Sequence, residues 1–337
     1  MIRKKRNTAK AEKTKYKFVH AVDLETGEDL GLIPHITEPV IILDPEKEAK
    51  KKKAREYRNK NSRTEPFVQC SKEYEKIIED YNRLTKDCLV KLMPYINFKD
   101  TLVKIDDKVL GTKDLYHLWG VSNKTGKMIL ESFLNDGIII EEDSGIKNGK
   151  QYRATGKIVF RGKNNKKEFT QKIDEEELKK YITAVQKKLT ARENVAKKNN
   201  RKVSPIYPLA LFGSLVPNFS YNTYLLAKNN SEDVILEGET VKEILSSRRK
   251  RSRFQFMKNY ELWNIYSGQN VTVLSVNEQK ELKECLEILL DVGILAQWRS
   301  NGKKLFLINP KLIYSSPGFK CDPGWKEVIT TLFDLTK

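Results

Sequence analysis

Histidine is nearly absent from this 337-residue chain: His20, His35 and His117 stand alone. There is no HExxH zinc motif, and no histidine pair of the kind that holds the metal of a DNA-nicking enzyme. The four cysteines, Cys70, Cys88, Cys285 and Cys321, are far apart and form no CxxC pair. That argues against a zinc ribbon and a disulfide scaffold, and suits a reducing cytoplasm. A GxSxG nucleophile elbow is missing. The nearest approach to a phosphate loop is Gly145-Ile146-Lys147-Asn148-Gly149-Lys150-Gln151. It has three residues between its glycines instead of four and no Ser or Thr after the Lys, so it reads as a hairpin tip. No stretch approaches the roughly 18 apolar residues of a membrane span. The basic start, Met1 to Lys17, has no apolar segment behind it and does not read as a secretory signal. Carboxylates are plentiful, but no spacing singles out a catalytic or metal-binding set. The sequence therefore predicts a cytoplasmic protein that is no enzyme, with no catalytic residue, no metal and no cofactor.

What the chain has in excess is positive charge. Lys and Arg number 63 against 45 Asp and Glu, a net charge of +18. Such a chain is expected to meet a polyanion, nucleic acid before an acidic membrane surface. The charge is uneven. Residues 1–69 carry 17 basic and 11 acidic side chains and residues 164–203 carry 12 and 6, whereas 70–163 and 204–337 each carry 17 and 14. Two strongly basic stretches alternate with two balanced ones. This predicts a basic N-terminal extension (1–66), a first module (67–163), a charged helical linker (164–203) and a second module (204–337) with a basic insertion at 247–268.

In the extension, Tyr16 to Ala21 and Asp29 to Ile33 suit the strands of a small β-hairpin about the turn Glu25-Thr26-Gly27-Glu28. Lys47 to Lys60 is a charged helix or coil without an apolar face. In the first module, Ile77, Tyr81, Leu84, Cys88 and Leu92 recur at three- and four-residue steps, which predicts one amphipathic helix over 72–92, stopped by Pro94. Phe98 to Val103 suits a short strand. Thr112 suits the cap of a second helix carrying Leu115 and Leu118. After the Gly120 turn, Ser122 caps a third over 123–135 with Met128, Ile129, Phe133 and Leu134 inward, and Gly137 ends it. A strand over 138–142 and a return strand over 151–160 complete a hairpin. Helix, strand, helix, tight turn, helix, hairpin is the order of a winged helix-turn-helix domain.

The second module echoes the first. Leu92-Met93-Pro94-Tyr95-Ile96-Asn97-Phe98 matches Leu215-Val216-Pro217-Asn218-Phe219-Ser220-Tyr221, and Phe133-Leu134-Asn135-Asp136-Gly137-Ile138-Ile139 matches Leu289-Leu290-Asp291-Val292-Gly293-Ile294-Leu295. Two echoes in the same order favour a tandem repeat. Here Ser275 opens a capping box with Glu278 before a helix to Asp291, and the wing runs from Ala296 through Ser300-Asn301-Gly302 to Ile308.

A winged helix places the second helix of its turn motif in the major groove and its wing along the backbone. The base-reading candidates are Asn123, Lys124, Thr125 and Lys127: Asn pairs with adenine, Lys reaches guanine, Thr meets phosphate or a thymine methyl. The wing candidates are Lys147, Lys150, Arg153, Lys157, Arg161 and Lys163, since 144–163 holds no acid. In the second module the capped helix carries Glu278, Glu281, Glu284, Glu287 and Asp291, which phosphate would repel. It is left to a partner protein, a second copy of the chain, or solvent. The basic surface there is Arg248, Arg249, Lys250, Arg251, Arg253 and Lys258, with Phe254 and Phe256 interleaved. It suits a second DNA contact, a solvated loop, or a site for RNA or protein. Trp119, Trp263 and Trp298 read as core anchors rather than base-stacking platforms.

On the leader Phe18-Val19-His20-Ala21-Val22-Asp23-Leu24-Glu25-Thr26-Gly27-Glu28, the stretch from Asp114-Leu115 to Gly137-Ile138, the segment Gly156-Lys157-Ile158-Val159-Phe160-Arg161-Gly162 and the late Ile308-Asn309-Pro310-Lys311-Leu312-Ile313-Tyr314, the chain resembles winged-helix DNA-binding proteins of Gram-positive plasmids and phages. Two groups are similar: replication initiators with two winged-helix modules, and MarR-like regulators. The resemblance implies an α+β, mainly helical fold of tandem winged-helix modules. It also implies sequence-specific binding of double-stranded DNA in a bacterial host, in association with the nucleoid. The role it suggests is initiating or controlling plasmid or phage replication, with one module free for self-association or for host replication proteins. Transcription regulation through the same contacts, or nucleic-acid scaffolding without sequence preference, are the alternatives.

Overall fold

The computed structural model describes residues 67–71, 73–97, 102–105, 108–144, 149–161, 171–220, 222–230, 234–236, 238–300, 303–314 and 323–335, and the backbone of 16–22 and 29–36. The chain is α+β, with small antiparallel sheets. It divides into two compact units, Met1–Ser62 and Arg63–Lys337. In the first, β1 (Tyr16–Val22) pairs antiparallel with β2 (Asp29–Ile36). The candidate turn 25–28 and the charged stretch 47–60 lie outside the described residues.

The second unit opens with β3 (Phe67–Cys70), α1 (Glu73–Asp80) and α2 (Arg83–Leu92). The apolar period predicts one helix here, but the chain breaks at Tyr81-Asn82. Asn82 adopts extended backbone and its side chain accepts the Thr85 N–H at 3.0 Å, capping α2. The period runs on across the break because each helix buries apolar residues at three- and four-residue steps, Tyr74 and Ile78 and then Cys88, Leu89 and Leu92. A 3₁₀ turn around Pro94 follows, then β4 (Lys104–Ile105), β5 (Lys108–Val109), α3 (Thr112–Trp119) and α4 (Asn123–Asn135). Next come the antiparallel strands β6 (Ile139–Asp143) and β7 (Lys150–Ala154). The return strand is shorter than predicted. The chain turns at Gly156 (φ +81°), and β8 (Val159–Phe160) leaves the hairpin to pair with β3.

β9 (Gln171–Asp174) leads into α5 (Glu175–Lys198), α6 (Pro208–Leu215) and a second 3₁₀ turn around Pro217. Then come α7 (Val241–Ser246), α8 (Arg248–Arg251), α9 (Asn259–Ser267) and α10 (Val276–Asp291). The hairpin of β10 (Leu295–Ser300) and β11 (Lys303–Ile308), β12 (Ile313–Tyr314) and α11 (Pro323–Leu335) complete the chain.

The echoes in sequence coincide with recurring hydrogen bonds. After each proline turn, Asn97 N–H donates to Leu102 O and Ser220 N–H to Leu225 O. Val103 N–H then donates to Tyr152 O on β7, as Leu226 N–H does to Phe306 O on β11. α4 and α10 close alike: Gly137 and Gly293 take positive φ, and Ile138 and Ile294 donate back to Phe133 O and Leu289 O. Only glycine adopts that conformation without strain.

The helices preceding the two proline turns, α2 and α6, lie against each other. A Cβ on Gly213 would stand 2.6 Å from Val90 Cγ2, and Tyr74 Oη donates to Gly213 O at 3.1 Å. Every residue of α6 is buried, and apart from Ser214 the helix carries no polar side chain. The four-stranded sheet has the order β12-β9-β3-β8, and so joins residues from both ends of the unit. Segment 164–203, expected as a charged helical linker, is packed where it is described: β9 sits inside this sheet, and α5 buries Leu178, Tyr181, Ile182 and Val185. The 247–268 insertion is folded rather than loose. Ser247 caps α8, and Phe254 is buried with its ring stacked 5.5 Å from Phe256. Trp119 and Trp263 are buried, and Trp298 packs edge-on against Trp325.

Candidate nucleic-acid interface

The start of α4 is held by two local devices. Ser122 is extended, and its Oγ accepts the Thr125 N–H and lies 3.0 Å from Thr125 Oγ1. Gly126 lets α3 approach closely, since a Cβ there would stand 2.3 Å from the ring of Tyr116. On this fixed turn Asn123, Lys124 and Lys127 are exposed, while Thr125 is half-buried with its hydroxyl engaged by the cap. Lys124 has no ion pair among the described residues; Lys127 lies 3.7 Å from Glu131, with both side chains open to water. Met128, expected inward, is 63% exposed on the same outer face. The buried face of the helix is Gly126, Ile129, Leu130 and Phe133.

The wing differs from its sequence reading. Its return strand has no acid, but the strand beside it carries Glu141, Glu142 and Asp143. Lys150 pairs with Glu141 at 2.7 Å, and Arg153 gives Glu142 two bonds of 2.8 and 3.0 Å. These bonds hold the Glu142 carboxyl below its ordinary range. Lys157 is exposed, and its Nζ donates to Asp136 O. Arg161 is a correction: its side chain is only 9% exposed, turned inward onto Ile96 O and the Glu175 carboxylate, so it braces the fold instead of facing phosphate. Lys147 and Lys163 lie outside the described residues.

The insertion divides the same way. Arg251 is a second correction, 5% exposed and buried. Arg253 and Lys250 both grip Glu239, and the Arg253 bonds draw that carboxyl down to about 2. Arg248, Arg249 and Lys258 are exposed, the last over the Tyr260 ring at 5.8 Å.

The carboxylates of α10 are bound within the chain. Glu281 takes Arg83 and the Tyr266 hydroxyl, Glu284 takes two bonds from Arg192, and Asp291 pairs with Lys188 at 2.9 Å. Glu278 is spent on the cap and Glu287 lies near Lys283. Of the acidic face expected to meet a partner, a second copy or solvent, Glu281 and Glu284 sit in a part-buried seam against α2 and α5, whereas Glu287 and Asp291 are exposed. The start of α10 leaves Asn277 and Lys280 exposed or half-exposed and unpaired among the described residues.

The cations overlooked in sequence are at the end of α5. Lys197, Lys198, Arg201 and Lys202 are exposed and make no side-chain bond among the described residues. Their dense spacing was the available signal; their assignment to a linker hid it. Among the described residues no three His, Cys, Asp or Glu side chains gather as a metal site, and no helix is long and apolar enough to cross a membrane. No family model matches this chain, nor does any curated protein or solved structure.

Proposed function

We propose that the chain binds double-stranded DNA sequence-specifically through two winged helix-turn-helix units and so initiates or controls the replication of a plasmid or phage. The observation that carries this is α4. It follows a left-handed glycine and a serine cap, is pinned to α3 through Gly126, precedes a two-stranded hairpin, and presents Asn123 and the unpaired Lys124 at its exposed start. Those are side chains able to read adenine and guanine edges. The recurrence of the same backbone bonds around α10 supports a second unit built alike.

A footprint of the intact protein on an origin-bearing replicon tests the reading. Protection of discrete repeats is expected, with Asn123→Ala or Lys124→Ala relaxing the sequence preference by about 1–3 kcal/mol at one position. Replication of a plasmid lacking its own initiator should depend on the protein. Protection of a promoter alone, with transcription altered and replication untouched, would move the role to transcription regulation. Uniform binding along any duplex would overturn specific recognition.

A further inference from the structure

The end of α5 turns sharply. Asn200 takes φ +51°, and Arg201 N–H donates back to Ala196 O at 2.9 Å, so the chain forms a tight elbow before Ile206 enters the core. A cleft of about 640 Å³ lies on one side of this elbow and one of about 500 Å³ on the other. Arg192, Ala196, Arg201 and Ser204 line both, so the elbow is the ridge between them. Beyond the first cleft stand Ser122 and Thr125, the first turn of α4; beyond the second stand Asn277 and Lys280, the first turn of α10. The ridge therefore lies between the two helix starts.

Its charge is uncompensated. Lys197, Lys198, Arg201 and Lys202 are four cations in six residues, all exposed and unpaired among the described residues. Of the carboxylates lining the clefts, Asp87 is held by Lys91, Glu281 by Arg83 and Glu284 by Arg192; Glu193 alone is unengaged. The negative end of the helix dipole accounts for Lys197 and Lys198, which lie in its last turn. It does not account for Arg201 and Lys202, which lie past it.

We infer that the α5 elbow, with Lys197, Lys198, Arg201 and Lys202, is a phosphate grip for the DNA backbone running between the grooves that α4 and α10 enter. This rests on the proposed DNA binding. The geometry follows from the duplex: between two successive major-groove segments on one side of B-DNA, the strands cross at the minor groove, and a cationic ridge between two reading helices meets those phosphates.

The test uses the full chain and a duplex carrying its footprinted site. The slope of log affinity against log salt should flatten by roughly 1.8 in Arg201→Ala/Lys202→Ala, at about 0.9 per lost phosphate contact. Lys197→Ala/Lys198→Ala should do the same, and in both the sequence preference should stay as it was. The swap Arg201→Lys/Lys202→Arg should keep the slope, as should the remote Lys242→Ala. A double variant that binds with the parent's slope and melts at the parent's temperature overturns the grip while leaving the function standing. Intact protein that binds no duplex overturns both. Should one alanine pair fail to fold, the other pair and the charge swap still decide.

Discussion

Two residues of like charge in the 67–163 module carry opposite expectations. Lys124 is exposed and unpaired among the described residues, whereas Arg153 is doubly bonded to Glu142 across the hairpin. A guanidinium so held neutralises less phosphate, because leaving Glu142 forfeits two charge-assisted bonds. Arg153→Ala should therefore leave the salt dependence of DNA binding nearly unchanged, while Lys124→Ala should relax the preference at one base position by about 1–3 kcal/mol; titrations of matched and mismatched duplexes at three salt concentrations separate them. Lys86 carries a different prediction. Its residue is 0% exposed, its Nζ donates to Ile265 O at the end of α9, and burial pushes its ammonium down to about 8. Between that value and the ordinary lysine value of 10.5 the unfolded chain binds more protons than the folded one, so this group makes stability rise with pH across the window. Urea melts between pH 8 and 10 should show wild type gaining stability relative to Lys86→Met; a constant difference would mean Lys86 does not titrate there. Neither Lys86 nor Arg161 was legible as an interior cation. What buries Lys86 is the end of α9, 179 residues away, and Arg161 is met by a carboxylate on a different element.

At the scale of elements, the strongest single constraint is the α2–α6 seam. Gly213 faces Val90, Tyr74 and Ile78, with no room for a methyl. Overpacking costs about 1–3 kcal/mol, and the gain from replacing a helical glycine by alanine returns only about 1. Gly213→Ala should then destabilise the protein by up to about 2 kcal/mol in a urea melt. Equal or greater stability would show that the helices can move apart freely. The sequence carried much of this architecture. The Ser122 and Ser275 caps, the glycines after α4 and α10 and the two proline turns were all visible, because caps and left-handed glycines are local chemistry. The break between α1 and α2 was hidden because both helices keep one apolar period. The wing was misread for a related reason. Counting acids along 144–163 ignored the neighbouring strand, and in an antiparallel hairpin the partner that neutralises Lys150 is Glu141, across the strand pair rather than along it. Met128 lies outside the stripe of Gly126, Ile129, Leu130 and Phe133 that α4 buries, and a single exposed apolar side chain is ordinary on a protein surface.

For the molecule as a whole, the echo of one segment in another suggests two modules that fold alone, yet the second unit is laced together throughout. β3 and β8, from residues 67–70 and 159–160, share a sheet with β9 and with β12 from residues 313–314. α2 packs on α6, Lys86 closes the end of α9, Arg83 meets Glu281, and Lys188 and Arg192 reach α10. Cutting the chain at 163 would expose the apolar face of α2 and part Glu281 from Arg83, and cutting at 203 would also part Glu284 from Arg192. Residues 63–337 should consequently unfold in one transition, with calorimetric and van't Hoff enthalpies in agreement. The fragment 67–163 should show no sigmoidal melt of its own. Two resolved transitions in the intact chain would overturn this and restore independent modules. The same lacing bears on DNA. Under the proposed function, two reading helices joined by a flexible linker would tolerate half-sites at variable spacing, whereas α4 and α10 held on one cooperative body would admit one spacing set by that body.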